Sequence, residues 1–379
     1  MTVSAKQLLD TAITHPNTRK DKRPTLGDIA QKCNVTSTTV SLVLKGLETN
    51  RVSSATRAKI TKVARDLCYR PNRVAQALSG RESGTLGLVL NTLKIPFYAE
   101  IAQEIIAHAK EAGYGVLVGS ALESSGSHKS RIDDERQVLL DLIDRGVDGL
   151  IICSALREDP VITEIENMGI PFVLALREVK RGPKAPSLDY IGTDNQRGGY
   201  LLGEHVLKMG HRRIAVVTGD MEATSAHDRL SGTLQAFKDY GVDPDPELIV
   251  NGEYSRSVSY GIIHGLLEKG KKFTAIISHS DIMAMGVLEA LGNAGIKVPK
   301  EVAVVGFDNS EMAGLPAVEL TTIAQERALL GKLAVEMLVE KIKNPTSHLA
   351  KRIILNPVLV IRKTCGFHEK KKVRAARFE

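Results

Sequence analysis

The sequence predicts a multidomain protein, a small all-α head joined to a larger α/β core, and three observations predict it. Its 379 residues are about twice an ordinary domain. Helical periodicity without strands runs over residues 25–67, whereas from Leu86 onward short apolar runs alternate with longer amphipathic segments. Charge divides in the same way: residues 1–80 hold 14 Lys plus Arg against 5 Asp plus Glu, net +9; residues 81–361 hold 30 against 37, net −7; residues 362–379 hold 7 against 2, net +5. A basic head on an acidic bulk points to a polyanion-binding module beside a domain that binds something else.

Hydrophobic residues at 43% and charged ones at 25% suit a soluble globular protein, and no run of eighteen apolar residues suggests a membrane span. The first 23 residues mix Lys6, Asp10, His15, Arg19, Lys20 and Arg23 with short apolar stretches and lack a secretory h-region, so the expected location is the cytoplasm, at the nucleoid. Cys33, Cys68, Cys153 and Cys365 stand far apart without a CxxC pair, which fits neither a zinc site nor a disulfide scaffold. Buried free thiols are expected, and no metal.

Residues 14–24, polar and basic with Pro16 and Pro24, read as a linker. Thr25 or a neighbour is placed to cap a first helix with Leu26, Ile29 and Ala30 on one face. Asn34 tolerates positive φ and marks a tight turn. Thr36 is placed to cap a second helix from Ser37 to about Lys45, with Val40, Val43 and Leu44 inward and Ser37, Thr38, Ser41 and Leu42 outward. Ser53 or Ser54 starts a third helix carrying Ile60, Val63, Ala64 and Leu67 inward. After Pro71, the stretch NRVAQALSG reads as a short helix, unstable alone in water.

In the core the strands include Leu86 to Leu90, Gly115 to Val118, Gly149 to Cys153, Phe172 to Ala175, Ile214 to Thr218, Ala275 to Ser278 and Val302 to Gly306. Helices such as Tyr98 to Ala112, Glu135 to Arg145, Gln196 to Met209, Ala226 to Tyr240, Ser257 to Lys269 and Asp281 to Ala294 lie between them, many stopped by glycine. Lys180 to Ser187, with Pro183 and Pro186, reads as a loop or a crossing between two lobes.

Several segments together resemble one family. TLGDIAQKCNVTSTTVSLVLKG, RVSSATRAKI and YRPNRVAQALSG look like the DNA-binding head and hinge of the lac repressor and purine repressor family. IPFYAEI, GTDNQRGG, GHRRIAVVTG, the SAxxRxxG spacing from Ser225 to Gly232, SDIMAMGVLEAL, VVGFDN and LTTIAQE follow in the family's order, from about Pro24 to Lys363. The resemblance implies a helix-turn-helix head on a two-lobed periplasmic-binding-protein-like core. It divides the chain into an N-terminal extension 1–23, a DNA-binding domain 24–71, a hinge 72–84, an effector-binding and dimerisation core 85–363 and a basic tail 364–379.

The implied function is a dimeric transcriptional regulator, a repressor, whose affinity for a palindromic double-stranded operator is controlled by a sugar-like or purine-like effector. In a helix-turn-helix the second helix enters the major groove, so Thr36, Ser37, Thr38, Thr39, Ser41, Leu42 and Lys45 are the expected base and phosphate contacts, with Arg51, Arg57 and Arg73 on phosphates. The hinge, Asn72, Arg73, Ala75 and Leu78, is expected to order on operator and to press Leu78 between base pairs. Phe97, Tyr98, Arg177, Asp194, Arg229, Asp281 and Asp308 are expected in the cleft between lobes, Arg229 and Asp281 foremost. Leu42 stands where the family often has Arg, Lys45 where it has Asn, Ser280 where Asn is usual, and Leu176 where an Asp often precedes the Arg.

Enzymatic motifs fail on context. GLLEKGKK at 265–272 has Lys272 where a P-loop needs Ser or Thr, and GYGVLVG at 113–119 opens a strand instead of a helix. No enzyme activity and no cofactor are expected. A ligand-binding protein with a vestigial head and an architectural DNA-binding protein without an effector remain the alternatives; the basic head argues against the first, and Arg229, Asp281 and Asp308 against the second.

Overall fold

The computed structural model describes residues 24–44, 52–69, 83–121, 128–182 and 185–367. Helix α1 (Leu26–Cys33) starts with a reciprocal cap: the Asp28 amide donates to Thr25 Oγ1 at 3.3 Å, and the Thr25 amide to Asp28 Oδ2 at 2.7 Å. Asn34 ends it in the left-handed conformation at φ 57°, as the sequence predicts. The Thr39 amide donates to Thr36 Oγ1 at 3.2 Å and starts α2 (Ser37–Leu44); Ser53 caps α3 (Ser54–Asp66) through the Thr56 amide. Ile29, Ala30, Cys33, Val40, Val43, Ile60 and Ala64 form one buried cluster, edged by Leu26, Leu44, Val63 and Leu67. The three-and-four spacing of the sequence therefore closes a small three-helix core.

Head and core are separate compact units. Among the described residues the core has two six-stranded sheets, one per lobe. Lobe 1 holds β1 (Thr85–Leu90), β2 (Gly115–Ser120), β3 (Gly149–Ile152), β4 (Phe172–Ala175), β5 (Tyr190–Thr193) and β11 (Arg352–Leu355), in the order β2-β1-β3-β4-β5-β11 and all parallel. Its helices are α4 (Pro96–Glu111), α5 (His128–Asp144), α6 (Pro160–Asn167) and α11 (Arg327–Lys343). Lobe 2 holds β6 (Ile214–Thr218), β7 (Ile249–Asn251), β8 (Ala275–Ser278), β9 (Ala303–Asp308), β10 (Thr321–Ala324) and β12 (Val358–Val360), in the order β7-β6-β8-β9-β10-β12, with β12 antiparallel. Around it pack α7 (Asn195–Lys208), α8 (Thr224–Asp239), α9 (Arg256–Glu268) and α10 (Asp281–Asn293). The central strands are apolar on both faces, as a parallel sheet covered by helices requires.

The chain passes between the lobes three times: at Asp194, at Gln325 and Glu326, and at Asn356 and Pro357. Lys180 to Ser187 is not a crossing, since β4 and β5 on either side of it share one sheet. The chain between β4 and β5 instead begins and ends within lobe 1. Strands β5, β7, β10, β11 and β12 join those read from the sequence; each has three or four residues, too few for an apolar period to declare itself. Helix α5 begins at His128, seven residues before the expected Glu135, because its first two turns are charged and carry no apolar stripe. Gly113, Gly146, Gly210, Gly241, Gly270 and Gly295 all have positive φ, which is how these helices stop.

Cys33, Cys153 and Cys365 are buried free thiols as expected, whereas Cys68 is exposed, because it follows the last turn of α3 at φ 49° and faces away from the head cluster. No helix among the described residues is long and apolar enough to cross a membrane.

Candidate functional site

In the head, Thr36, Ser37 and Thr38 are exposed, and Ser41, Leu42 and Arg57 are half-exposed along the outer side of α2 and the start of α3. Thr39 is half-buried and its hydroxyl shares a hydrogen bond with Thr36 Oγ1 at 2.9 Å, so this pair is committed to holding the start of α2. Lys45, Arg51, Asn72, Arg73, Ala75 and Leu78 lie outside the described residues.

In the core, the crossings put the carboxyl ends of both sheets face to face, where the strand order of an open parallel sheet leaves a crevice. Ile95, Phe97, Tyr98, Leu176 and Arg177 from lobe 1 and Ser225, Arg229, Tyr254, Ser280, Asp308 and Gln325 from the other side line it. Phe97 and Tyr98 open α4, and Arg177 and Asp308 follow or end β4 and β9. The backbone is strained there: Leu176 has φ 68°, Tyr254 54°, Asp308 120° and Asn309 51°. Side chains in this region of φ persist only where their surroundings hold them, and such residues collect at ligand sites.

Arg229 is the most constrained group in the cleft. Its Nε donates to Asn195 Oδ1 at 2.8 Å and its Nη1 to the His279 carbonyl at 2.5 Å; the guanidinium lies 3.6 Å from the Phe307 ring centroid and 3.6 Å from Asp308 Oδ1. Two glycines permit this. A Cβ at Gly199 would strike the Arg229 carbonyl, and one at Gly232 the Gln196 carbonyl, so α7 and α8 pack backbone to backbone and deliver Arg229 to the cleft. The doubled glycine of GTDNQRGG and the final glycine of SAxxRxxG thus have a packing reason.

Burial pushes the Asp308 carboxyl up to about 6 against the opposing pull of Arg229. Burial and the neighbouring Asp308 charge push Asp281 up to about 8. Burial and the Arg229 charge hold His279 down near 3, so that ring is neutral. The Tyr98 hydroxyl is pushed up to about 12 by burial.

Two of the expected cleft residues are elsewhere. Asp194 caps α7, accepting the Arg197 amide at 2.8 Å, and borders a separate hollow with Gln196, Arg197, Tyr200, Gly232 and Gln235. At the strand-to-helix junction the unsatisfied amides of α7 take its carboxylate away from the cleft. Asp281 sits behind the lining, not in it: it accepts the Ser310 amide at 2.7 Å, the Ser310 hydroxyl at 3.0 Å and the Thr322 hydroxyl at 2.6 Å, fixing the 308–310 turn that presents Asp308. Ser280 is the residue that caps α10, through the Met283 amide.

Because Asp281 carries a raised folded value, the folded state holds its proton from about pH 4 to about 8 while the unfolded chain does not. This lowers stability progressively as pH rises through that window. Asp281→Asn removes the titration, so its stability falls less steeply than wild type over the same range, measured by urea unfolding at a series of pH values; an unchanged slope contradicts the assignment.

Gln325 and Tyr254 were not picked out from the sequence. Gln325 accepts the Thr193 hydroxyl at 2.8 Å and donates to Asp308 Oδ1 at 2.8 Å, linking two crossings to the cleft. Tyr254 packs against the hydrophobic clusters of both lobes, and its hydroxyl is 3.3 Å from Ser225 Oγ. Polar contacts also hold the lobes together. Arg131 pairs with Asp220 at 2.6 Å, the Arg157 amide donates to the Glu222 carbonyl at 2.7 Å, and Arg327 joins Glu100 at 2.9 Å to the Asn309 carbonyl at 2.8 Å. The lining leaves a cavity of about 30 Å³, room for about two waters and smaller than a sugar.

Comparison with known proteins agrees with this architecture. Residues 25–72 match the family described as "Bacterial regulatory proteins, lacI family", and residues 204–365 match the "Periplasmic binding protein-like domain". The chain is 30% identical over 341 residues to the HTH-type transcriptional repressor PurR of Photobacterium profundum, covering 90% of this chain and 98% of the relative. It is 29% identical over 344 residues to the ribose operon repressor of Haemophilus influenzae, with the same coverage. Among solved structures, a lac repressor dimer bound to operator and the anti-inducer ONPF has 28% identity, covers 91% of this chain and 99% of that chain, and gives a TM-score of 0.79. A transcriptional regulator CelR-cellobiose complex has 28% identity, covers 90% and 100%, and gives 0.66. With head and two-lobed core matched in order along nine-tenths of its length, the chain belongs to the lacI family of bacterial regulatory proteins.

Proposed function

We propose that this chain is a transcriptional repressor that acts by binding and not by catalysis, in the cytoplasm, its affinity for a palindromic operator set by a small molecule held between the lobes. The observation that carries this reading is the cleft itself: Arg229, Asp308, Arg177 and two tyrosines, all buried or half-buried, converge at the crossings between lobes, where a ligand alters the relative stability of open and closed cores. Homologues named PurR and the ribose operon repressor, and neighbours solved with cellobiose and with operator, support it.

In this reading residues 24–71 bind DNA, 72–84 form the hinge, and 85–363 bind effector and dimerise, between the extension 1–23 and the basic tail 364–379. Ser37, Thr38, Ser41, Leu42 and Lys45 face the major groove; Thr36 and Thr39 cap the helix and reach phosphates; Arg51, Arg57 and Arg73 neutralise the backbone. Asn72, Ala75 and Leu78 meet the minor groove. In the cleft Phe97, Tyr98, Arg177, Arg229 and Asp308 contact effector, while Asp281 and Asp194 act through the turn and helix they fix.

Two heads on one palindrome require a twofold dimer, with half-site centres about one helical turn, or ~10 bp, apart. Residues 351–379 carry no leucine heptad. Sedimentation at micromolar concentration is expected to show a dimer; a stable monomer contradicts the reading. Selection of bound sequences from random DNA, followed by a screen of small molecules for altered binding, tests the function as a whole. A chain that selects no palindrome, or whose selected palindrome responds to no ligand, is not a ligand-controlled repressor.

A further inference from the structure

The cleft holds two buried arginines, and among the described residues only Arg229 forms an ion pair. Arg177 is 2% exposed, and its Nη1 has no hydrogen-bond partner among the described residues. Its guanidinium lies over the Tyr254 ring, 5.7 Å from the centroid, and lines the cavity. The acids around it are committed elsewhere. Asp220 pairs with Arg131 at 2.6 Å. Glu135 accepts the Ser154 hydroxyl, and burial together with the neighbouring Asp159 pushes its carboxyl up to about 8, so that it is mostly protonated at neutral pH. The residue before Arg177 is Leu176, which offers no carboxylate. A buried guanidinium with an unpartnered Nη1 and no ion pair is costly, and such costs are retained where binding requires them.

Resting on the cleft reading above, we propose that Arg177 is an anion-binding group and that the effector is a polyhydroxylated anion, a polyol carrying a carboxylate or a phosphate. The guanidinium fork suits either anion. Arg229, Asp308, Ser225 and Ser280 provide donors and acceptors for hydroxyls, and Tyr98 and Tyr254 provide faces for the carbon skeleton. A neutral sugar or a neutral purine base leaves the Arg177 charge uncompensated when the lobes close.

The test is calorimetry on the full chain with matched probes: gluconate and glucuronate, glucose 6-phosphate and ribose 5-phosphate, and neutral glucose, ribose and hypoxanthine. At least one anion is expected to bind roughly 30-fold or more tightly than its neutral counterpart, the figure for losing a buried charged partner. Which anion binds decides between carboxylate and phosphate. A neutral probe that binds as tightly as the anions, or no binding by any of the four anions, overturns the proposal.

Arg177→Met supplies a second readout. Anion binding should fall roughly 30-fold or more while the unliganded Tm stays level or rises, since an uncompensated charge has been removed. A lowered Tm with unchanged affinity makes Arg177 a structural residue and overturns the proposal. Binding lost in Arg229→Ala but kept in Arg177→Met leaves the cleft as the binding site and overturns the anion assignment alone. Binding kept in both variants puts the ligand outside the cleft and overturns the reading beneath it as well.

Discussion

Arg229→Ala is expected to abolish the effector response and to lower the stability of the core. Its two hydrogen bonds, to Asn195 and the His279 carbonyl, vanish, and Asp308 loses its ion pair while keeping the Gln325 hydrogen bond. Removing one member of a buried charge pair costs about 3 to 5 kcal/mol, mainly because the other charge stays buried. The sign of its pH dependence follows from Asp308, already pushed up to about 6 by burial despite Arg229. Without the arginine this carboxyl rises further. The deficit against wild type is therefore smallest below about pH 6, where both folded proteins hold the proton, and grows as pH rises above it, where wild-type Asp308 ionises beside Arg229 while the variant's carboxyl does not. Effector affinity should fall by about 2 to 5 kcal/mol, roughly 30-fold to several thousand-fold. Chemical unfolding at pH 5 and pH 8, with calorimetry below the variant's melting temperature, measures both. An equal deficit at the two pH values would show that the Asp308 pairing is not what Arg229 stabilises.

Gly232→Val should damage the same site from a distance. The glycine lies against the Gln196 carbonyl, and backbone cannot step aside as a flexible side chain can. The added side chain must pry α8 from α7, and overpacking of this kind costs about 3 kcal/mol or more. For a core of this size that lowers Tm by about 6 to 12 °C. Arg229 moves with α8, so effector binding weakens too. Gly265→Ala is the matched control: nothing lies within 4 Å of its Cβ position in α9, and removing a mid-helix glycine should leave stability level or raise it by about 0.5 to 1 kcal/mol. Scanning calorimetry on the two variants decides. Equal melting temperatures would mean that the close approach of α7 and α8 is not needed.

The head was readable almost residue by residue because its determinants are local. Thr25, Asn34, Thr36 and Ser53 cap or turn the chain within three residues of themselves, and the inward positions repeat at helical spacing. The core's main strands and helix stops were readable for the same reason. Its short strands were not, since Tyr190–Thr193 is a strand through pairing with Phe172–Ala175 on one side and Arg352–Leu355 on the other, the latter across 162 residues of chain. In the cleft, motif resemblance located Phe97, Tyr98, Arg177, Arg229 and Asp308. It did not give direction: Asp194 and Asp281 stand at the expected strand ends, yet nearby amides and hydroxyls draw their carboxylates away. Tyr254 reaches the cleft through two consecutive positive-φ residues, Glu253 and Tyr254, which no period reveals. Gln325 acquires its role only when two lobe crossings meet.

The central claim is that one chain couples a DNA-binding head to a separate effector cleft, and paired titration of two variants tests it most directly. Operator affinity is read by fluorescence anisotropy and effector affinity by calorimetry, on Arg229→Ala and Leu78→Ala. Arg229→Ala should bind operator within a few-fold of wild type without responding to effector. Leu78→Ala, which removes the expected minor-groove wedge, should bind effector normally while its operator affinity drops toward the nonspecific level. If Arg229→Ala binds effector like wild type, or Leu78→Ala binds operator like wild type, the division of labour between cleft and head is wrong.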